Sequence, residues 1–172
     1  MPPKVFIISG AAASGKSSYA KTLKKRENFT ILDLDDRLNE LIEKDPGHVE
    51  KIGMEAFLKE IRDFRYTDLR ERGVALVDQG KSVALVAPFT KHVRNIDQWN
   101  WLCQPFIARG ITPELHWVYV EPEEQIKRLV ARGAKRDIEK VASNSNLEAF
   151  VASKESSEPI IAHVKVDGSP AS

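Results

Sequence analysis

The fold is decided by one short stretch, Gly10-Ala11-Ala12-Ala13-Ser14-Gly15-Lys16-Ser17-Ser18. Its first eight residues match the pattern G-x-x-x-x-G-K-[ST], in which successive backbone N–H groups point into one concavity that can hold phosphate oxygens. Gly10 and Gly15 supply backbone angles that other residues disfavour, and they let a phosphate group approach closely. The stretch therefore predicts a nucleotide-phosphate-binding loop over Gly10 to Ser18.

The flanking residues supply the context that this motif requires. Val5 to Ser9 is a short apolar run typical of a buried strand, and Lys16 to Arg26 has helical character without proline. The helix that follows the loop would aim its positive end at the same anion. The alternative is a small-residue turn that leads into an ordinary helix.

Two side chains at the end of the motif carry its chemistry. Lys16 can reach the β- and γ-phosphates of a nucleotide, so we expect it to be catalytic. The Ser17 hydroxyl can ligate Mg²⁺. The guanine signature of small GTPases is absent from the sequence.

Apolar runs alternate with longer helical patterns along the whole chain. The predicted strands are Val5 to Ser9, Phe29 to Leu34, Ser82 to Ala87, Glu114 to Val120 and Ile160 to Val166. The predicted helices are Lys16 to Arg26, a pattern from Leu38 that Pro46-Gly47 ends, Met54 to Gln79, Ile96 to Ala108, one opened by Pro122, and one or two between Asp137 and Lys154. This alternation predicts an α/β fold, with a five-stranded parallel sheet and helices on both faces, in a single domain over residues 1–172.

Two finer expectations concern packing and the end of the chain. The inner face of the long helix is predicted to hold Phe57, Ile61, Phe64, Leu69, Leu76 and Val77, with Gly73 as its weak point. Gly168 to Ser172 is predicted to be a loose tail.

Composition narrows the class of protein. The 172 residues carry 26 Lys and Arg against 25 Asp and Glu, a net charge of +1, which argues against a dedicated nucleic-acid binder. The single cysteine, Cys103, excludes a disulfide framework. No apolar run approaches the roughly 18 residues of a membrane span. We expect a cytoplasmic protein without a membrane segment, as a monomer or homodimer.

Three carboxylates follow the second predicted strand, in the order Asp33, Asp35 and Asp36. Ligands of an open parallel sheet bind outside the carboxyl ends of its strands, so these side chains face the mouth of the phosphate loop. Paired carboxylates beside a nucleotide can hold metal-bound water and take the proton of an attacking hydroxyl. Alternatively, Asp35 or Asp36 only caps the next helix.

At this point the chain resembles the small-molecule kinase branch of the P-loop fold, the shikimate- and gluconate-kinase-like group. The resemblance rests on Gly10–Ser17, on Asp33-x-Asp35, on Ala87-Pro88-Phe89-Thr90 and on a late arginine cluster. It implies strand order 2-3-1-4-5, ATP and Mg²⁺ as cofactors, and transfer of a phosphoryl group to a hydroxyl of a small molecule. It also implies that Asp33 serves the metal and that Asp35 serves the acceptor.

Departures from that group limit the choice of acceptor. Gly53 and Phe57 fit the shikimate-kinase pattern, but Leu58 and Ile61 replace its charged positions, which argues against shikimate. The arrangement from Ala87 to Arg94 is loosely similar to adenylylsulfate kinases and suggests an anionic or polar acceptor. We expect Arg62, Phe89 and Arg94 to bind the acceptor together with Asp35. His92 lies three residues after Phe89 in the same loop and could also contact the acceptor.

Arg128, Arg132 and Arg136 are spaced four apart and would form one stripe on a continuous helix. Gly133 interrupts the stripe where a hinge would lie, so a small lid is predicted around residues 128–140. We expect Arg132 and Arg136 to be catalytic, because they can neutralise charge on the transferring phosphoryl group. The alternative is a solvated basic helix face.

The sequence thus favours an ATP-dependent small-molecule kinase. Two other readings stay open at this stage. One is a nucleotide-dependent switch that hydrolyses ATP slowly without an acceptor, and the other is a polynucleotide- or toxin-type kinase.

Overall fold

The computed structural model describes residues 1–133, 141–151 and 157–169. Five parallel strands form one sheet in the order β2-β3-β1-β4-β5, which confirms the predicted fold class and strand order. The strands are β1 (Val5–Ser9), β2 (Thr30–Asp33), β3 (Val83–Val86), β4 (Glu114–Tyr119) and β5 (Val164–Asp167).

Helices connect the strands. Their bounds are α1 (Lys16–Glu27), α2 (Leu38–Lys44), α3 (Pro46–Ile52), α4 (Met54–Asp78), α5 (Ile96–Ile107), α6 (Pro122–Arg132) and α7 (Asn144–Val151). A 3-10 turn, Leu34–Arg37, joins β2 to α2. Among the described residues, no helix is both long enough and apolar enough to span a membrane.

Alternation along the central strands builds a core on each face of the sheet. Val5 and Ile7 of β1 belong to the core that includes residues of α4 and α5, such as Leu69 and Leu102. Phe6 and Ile8 belong instead to the core that includes Ala20 and Leu23 of α1. Successive strand side chains point to opposite faces, so a fully apolar strand such as β1 must be covered on both sides.

The segment around Pro46 contains a helix that was not predicted. The helix from Leu38 ends at Lys44, before Pro46, as predicted, but Pro46 also opens a further helix, α3, where its fixed φ and missing N–H suit the first helical position. The Asp45 side chain caps this helix by accepting a hydrogen bond from the backbone N–H of His48 at 3.2 Å. The helix after β2 is therefore divided into two short ones before α4 begins.

Two positions of α4 also differ from expectation. Phe64 was predicted on the inner face, but it is 64% exposed. Gly73 is buried, and a Cβ there would lie 3.0 Å from Leu85 Cδ2 and 3.3 Å from Phe106 Cζ. The glycine therefore allows α4 to pack closely on β3 and α5, which a propensity scale cannot reveal.

Candidate active site

The phosphate loop lies between β1 and α1, at the carboxyl end of the central strand. Gly10 has φ +153°, and a Cβ there would lie 2.5 Å from both Ser14 Oγ and the Val118 carbonyl oxygen. Gly15 has φ +102° at the start of α1. The Ser14 N–H donates to the Ala11 carbonyl at 3.1 Å and closes the turn. Both motif glycines are thus required by the geometry of the loop.

The last residues of the motif begin α1 and reach the second strand. Lys16 Nζ donates to the Ala11 carbonyl oxygen at 2.9 Å, so the lysine curls over its own loop. Ser17 Oγ donates to Asp33 Oδ2 at 3.0 Å. Ser17 and Ser18 are both exposed at the mouth of the loop. The predicted metal pair, Ser17 and Asp33, is therefore brought together by the fold.

The carboxylates after β2 have separate partners. Asp33 Oδ1 accepts from the Asp35 N–H at 2.9 Å, and Asp36 Oδ2 accepts from the Asp33 N–H at 3.1 Å. These two bonds form a capping box at the 3-10 turn. The capping that the sequence suggested for Asp35 or Asp36 is performed by Asp33 and Asp36.

Asp35 is held instead by an arginine that the sequence did not single out. Arg65 Nη2 donates to Asp35 Oδ1 at 2.9 Å and to the Leu34 carbonyl oxygen at 3.0 Å. The Arg65 side chain is 10% exposed and that of Asp35 is 33% exposed. A half-buried charge-assisted bond of this kind fixes the direction of the carboxylate. Arg65 lies 30 residues away along the chain, so no local pattern reveals the pair.

The oxygens of Ser17 and Asp33 are of the chemical type that Mg²⁺ prefers. Burial raises the pKa of Asp33, and the nearby Asp35 charge adds to this, while the Asp35 N–H and the Ser17 hydroxyl lower it. A cation at this point would favour the ionised form of Asp33. Among the described residues, no group of three or more His, Cys, Asp or Glu side chains could hold a metal ion. The two oxygens of Ser17 and Asp33, 3.0 Å apart, fit Mg²⁺ that takes its remaining ligands from nucleotide phosphates and water.

The predicted acceptor residues fall on α4 and on the loop after β3. Arg62 is 36% exposed and lies 3.8 Å from Asp63 Oδ1. Phe89 has φ +50° and is completely buried, and its N–H donates to Tyr66 Oη at 3.0 Å. The Phe89 ring therefore anchors its loop and is closed to solvent.

Arg94 forms hydrogen bonds to other residues of the same chain. Its Nη1 donates to the Thr90 carbonyl at 2.9 Å and its Nε donates to Ser157 Oγ at 2.9 Å, and Nη2 donates to the Ser157 carbonyl. The Ile160 N–H also donates to the Val93 carbonyl at 3.0 Å. Arg94 thus ties the loop after β3 to the segment before β5.

Residues after β4 and β5 also reach the phosphate loop. Arg128 Nη2 donates to the Gly168 carbonyl at 2.9 Å, and Arg128 Nη1 lies 3.4 Å from the Ala13 carbonyl. Buried Gln125 donates to the Ala12 carbonyl at 3.0 Å. The Gly168 N–H donates to the Tyr119 carbonyl at 2.7 Å, so the tail predicted to be loose at Gly168 is held against the site.

The described residues include only part of the predicted lid. Arg132 is the last residue of α6 and is exposed, and Gly133 ends the helix with φ +54°. The helix stops where the hinge was expected. Arg136 lies outside the described residues, so its predicted role stays a prediction.

Cys103 is the single cysteine of the chain. It is buried in α5, and burial raises the pKa of its thiol to about 12. A thiol with such a pKa is protonated at neutral pH and is not nucleophilic. Cys103 is therefore a packing residue.

A family model described as an AAA domain matches residues 5–159. The chain belongs to this AAA domain family. No curated protein sequence matches it.

Solved structures resemble this AAA domain over nearly its whole length. A putative kinase from Chloroflexus aurantiacus has a TM-score of 0.71 at 15% identity, covering 97% of this chain and 89% of that one. The APS kinase of Mycobacterium tuberculosis, solved with AMPPNP and APS, has 0.61 at 16%, covering 99% and 91%. A gluconokinase from Sinorhizobium meliloti has 0.60 at 15%, covering 99% and 85%. The AAA domain therefore has the fold of P-loop kinases.

Proposed function

We propose that this AAA domain is an ATP- and Mg²⁺-dependent phosphotransferase that moves the γ-phosphoryl group to a hydroxyl of a small molecule. One observation carries the proposal: the 3.0 Å hydrogen bond from Ser17 to Asp33 joins the phosphate loop to the turn that holds Asp35. A carboxylate fixed beside the place of the terminal phosphate is what an acceptor hydroxyl requires. The kinase names of the similar structures support the same class of reaction.

Each residue of the site has a part in this reaction. The N–H groups of the loop would bind the phosphates, and Lys16 would leave the Ala11 carbonyl for a phosphate oxygen. Mg²⁺, held by Ser17 and Asp33 with phosphate oxygens, would neutralise charge on the nucleotide. The exposed Arg132 at the end of α6 would, with Arg136, offset charge on the transferring group.

Asp35 would orient the acceptor hydroxyl and receive its proton. The hydroxyl oxygen then bonds to the γ-phosphorus while the bond from phosphorus to the β–γ bridging oxygen breaks, and ADP leaves with that electron pair. Arg65 keeps the carboxylate in place during the transfer through its 2.9 Å bond to Asp35 Oδ1.

An acceptor screen tests the proposal. Purified protein with Mg-ATP is incubated with sugars, sugar acids, nucleosides, antibiotics or a 5′-hydroxyl RNA oligonucleotide, and both ADP and phosphorylated product are measured. We expect ADP release above the rate in water for at least one small molecule, and loss of that activity in Lys16→Ala. Lys21→Ala, an exposed lysine of the same helix, is the matched control.

Two outcomes would replace the proposal. Transfer to the oligonucleotide alone would indicate a polynucleotide kinase. Equal ADP release with every acceptor and with water would indicate a slow ATPase or switch.

A further inference from the structure

Buried nitrogen atoms on α4 and on the loop after β3 lack a hydrogen-bond partner among the described residues. Arg62 Nε, Arg65 Nε and His92 Nδ1 are inaccessible to solvent and have no hydrogen-bond partner among the described residues. His92 as a whole is 6% exposed. Leaving a buried polar atom without a partner is energetically costly. Atoms of this kind point to a ligand that supplies the missing hydrogen bonds.

His92 is enclosed by aromatic rings and faces positive charge. Its ring centroid lies 4.6 Å from that of Tyr66, 5.6 Å from that of Phe89 and 5.8 Å from that of Trp101. Burial lowers the pKa of His92, the charges of Arg62 on α4 and Lys91 on the same loop add to this effect, Asp63 opposes it, and the resulting pKa is about 4. The imidazole is therefore neutral at neutral pH.

Arg62 has only a weak counter-charge among the described residues. Its Nε lies 3.8 Å from Asp63 Oδ1, beyond hydrogen-bond distance, and the Asp63 side chain is fully exposed to water. An ion pair with such a solvated partner contributes little. The guanidinium can therefore exchange this contact for a better-placed anion without losing a strong bond.

Arg62 lies on the same helix as Arg65, the residue that pairs with the proposed base Asp35. Arg62 lies three residues before Arg65 on α4, so the two side chains are neighbours on the helix surface. Arg65 donates a hydrogen bond to Asp35, and the charge of Arg62 helps to lower the pKa of His92 in the loop after β3. One small molecule could place its hydroxyl at Asp35 and a second group between Arg62 and His92.

We propose that Arg62 and His92 form a subsite for an anionic carboxylate or phosphate group of the acceptor. The inference rests on the proposed function and narrows its substrate to hydroxyl compounds that carry an anion. The guanidinium supplies a permanent charge, and His92 Nδ1 supplies a hydrogen bond that becomes charge-assisted when the ring takes up a proton.

Nuclear magnetic resonance of the His92 ring tests this without requiring turnover. The full chain, loaded with Mg²⁺ and a non-hydrolysable ATP analogue to fill the phosphate loop, is titrated at pH 6 with D-gluconate, inorganic phosphate or neutral D-glucose. Without anion about one ring in a hundred is protonated at this pH. We expect an anion to raise that fraction at least about tenfold, and glucose to leave it unchanged.

Variants locate the effect. Arg62→Gln should abolish the response and weaken anion binding at least about tenfold, because one charge-assisted bond is lost. Arg72→Gln is the matched control on the same helix, since Arg72 pairs with Asp68 at 3.7 Å and has no contact with the rings around His92 among the described residues. Thermal unfolding of both variants checks that each is folded.

The outcomes separate this proposal from the proposed function. A response to gluconate alone assigns a carboxylate, and a response to phosphate alone assigns a phosphate group. No response of His92 to either anion overturns the subsite, even if the protein transfers phosphoryl groups to a neutral acceptor. A response without any transfer keeps the subsite and contradicts the kinase.

Discussion

Asp35 and Asp36 are adjacent acids with different surroundings, which makes them a matched pair for mutation. Asp35 is paired with Arg65, whereas Asp36 is exposed and accepts a backbone bond that asparagine can also accept. Asp35→Asn should leave ATP binding near wild type and lower acceptor-dependent turnover by about 10²-fold or more, the usual scale for losing a general base. Steady-state kinetics at saturating Mg-ATP measure this. Asp36→Asn should stay within a few fold of wild type, and equal rates in the two variants would contradict the role of Asp35.

His92 makes the stability of the fold depend on pH. Its pKa is about 4 in the folded protein against an ordinary value of 6.5, so the unfolded chain binds a proton between those values and the folded chain does not. Stability should therefore fall as the pH drops from 6.5 towards 4, by about 1 kcal/mol per pH unit from this group. His92→Phe keeps a ring in the aromatic enclosure and removes the titration. Urea unfolding at several pH values should show a shallower slope in the variant, and parallel slopes would contradict the assignment.

At the scale of elements, the backbone of the loop after β5 packs on the backbone of the phosphate loop, and the Arg128 side chain contacts both. A Cβ on Gly168 would overlap the Ser14 carbonyl oxygen and lie 3.0 Å from Val118 Cγ1. Gly168→Ala should therefore destabilise the protein by about 1–3 kcal/mol and weaken nucleotide binding, because the two loops must separate. Denaturant unfolding and calorimetry of ATP-analogue binding measure both effects.

Gly47→Ala is the control for that substitution, since a Cβ at Gly47 meets nothing closer than 4.0 Å. It should leave both quantities close to wild type. Wild-type nucleotide affinity in Gly168→Ala would show that contact between the loops does not matter for binding.

The elements follow closely from local sequence patterns, and the failures have physical reasons. Strong apolar runs such as Val5 to Ser9 and Val83 to Val86 predict their own strands, because they must be buried on both faces. The fifth strand is shorter than predicted: it begins at Val164, while the amides of Ile160 and Ile161 reach the Val93 carbonyl instead. An apolar run predicts that a segment is buried, but it does not predict whether the backbone of that segment pairs with a strand or with a loop.

The site is predictable where a motif is continuous along the chain. Gly10 to Ser17 and Asp33 to Asp35 are local, and the sheet order brings them together as expected. Arg65 and Gln125 were not selected, and the bond from Arg128 to the Gly168 carbonyl was not predicted, because each partner lies 30 or more residues away along the chain. Polar residues on a helix look alike in sequence until the partner of each is known.

At the scale of the whole molecule, the proposed functional groups lie together at the carboxyl ends of the parallel strands. The phosphate loop after β1, the acidic turn after β2, the loop after β3 and Gly168 after β5 all leave carboxyl ends of parallel strands. Open α/β sheets bind ligands outside this end of their strands. The proposed donor and acceptor sites therefore lie at the same end of the strands, as direct transfer between them would require.

The most direct test of that claim follows the γ-phosphoryl group itself. The protein is incubated with Mg²⁺, γ-labelled ATP and the best acceptor from the screen, and the label is measured in the acceptor and in inorganic phosphate. The account predicts that the label appears chiefly in the acceptor, and that Lys16→Ala abolishes this transfer while Lys21→Ala does not. Label recovered only as inorganic phosphate, at a rate that no acceptor changes, would contradict it.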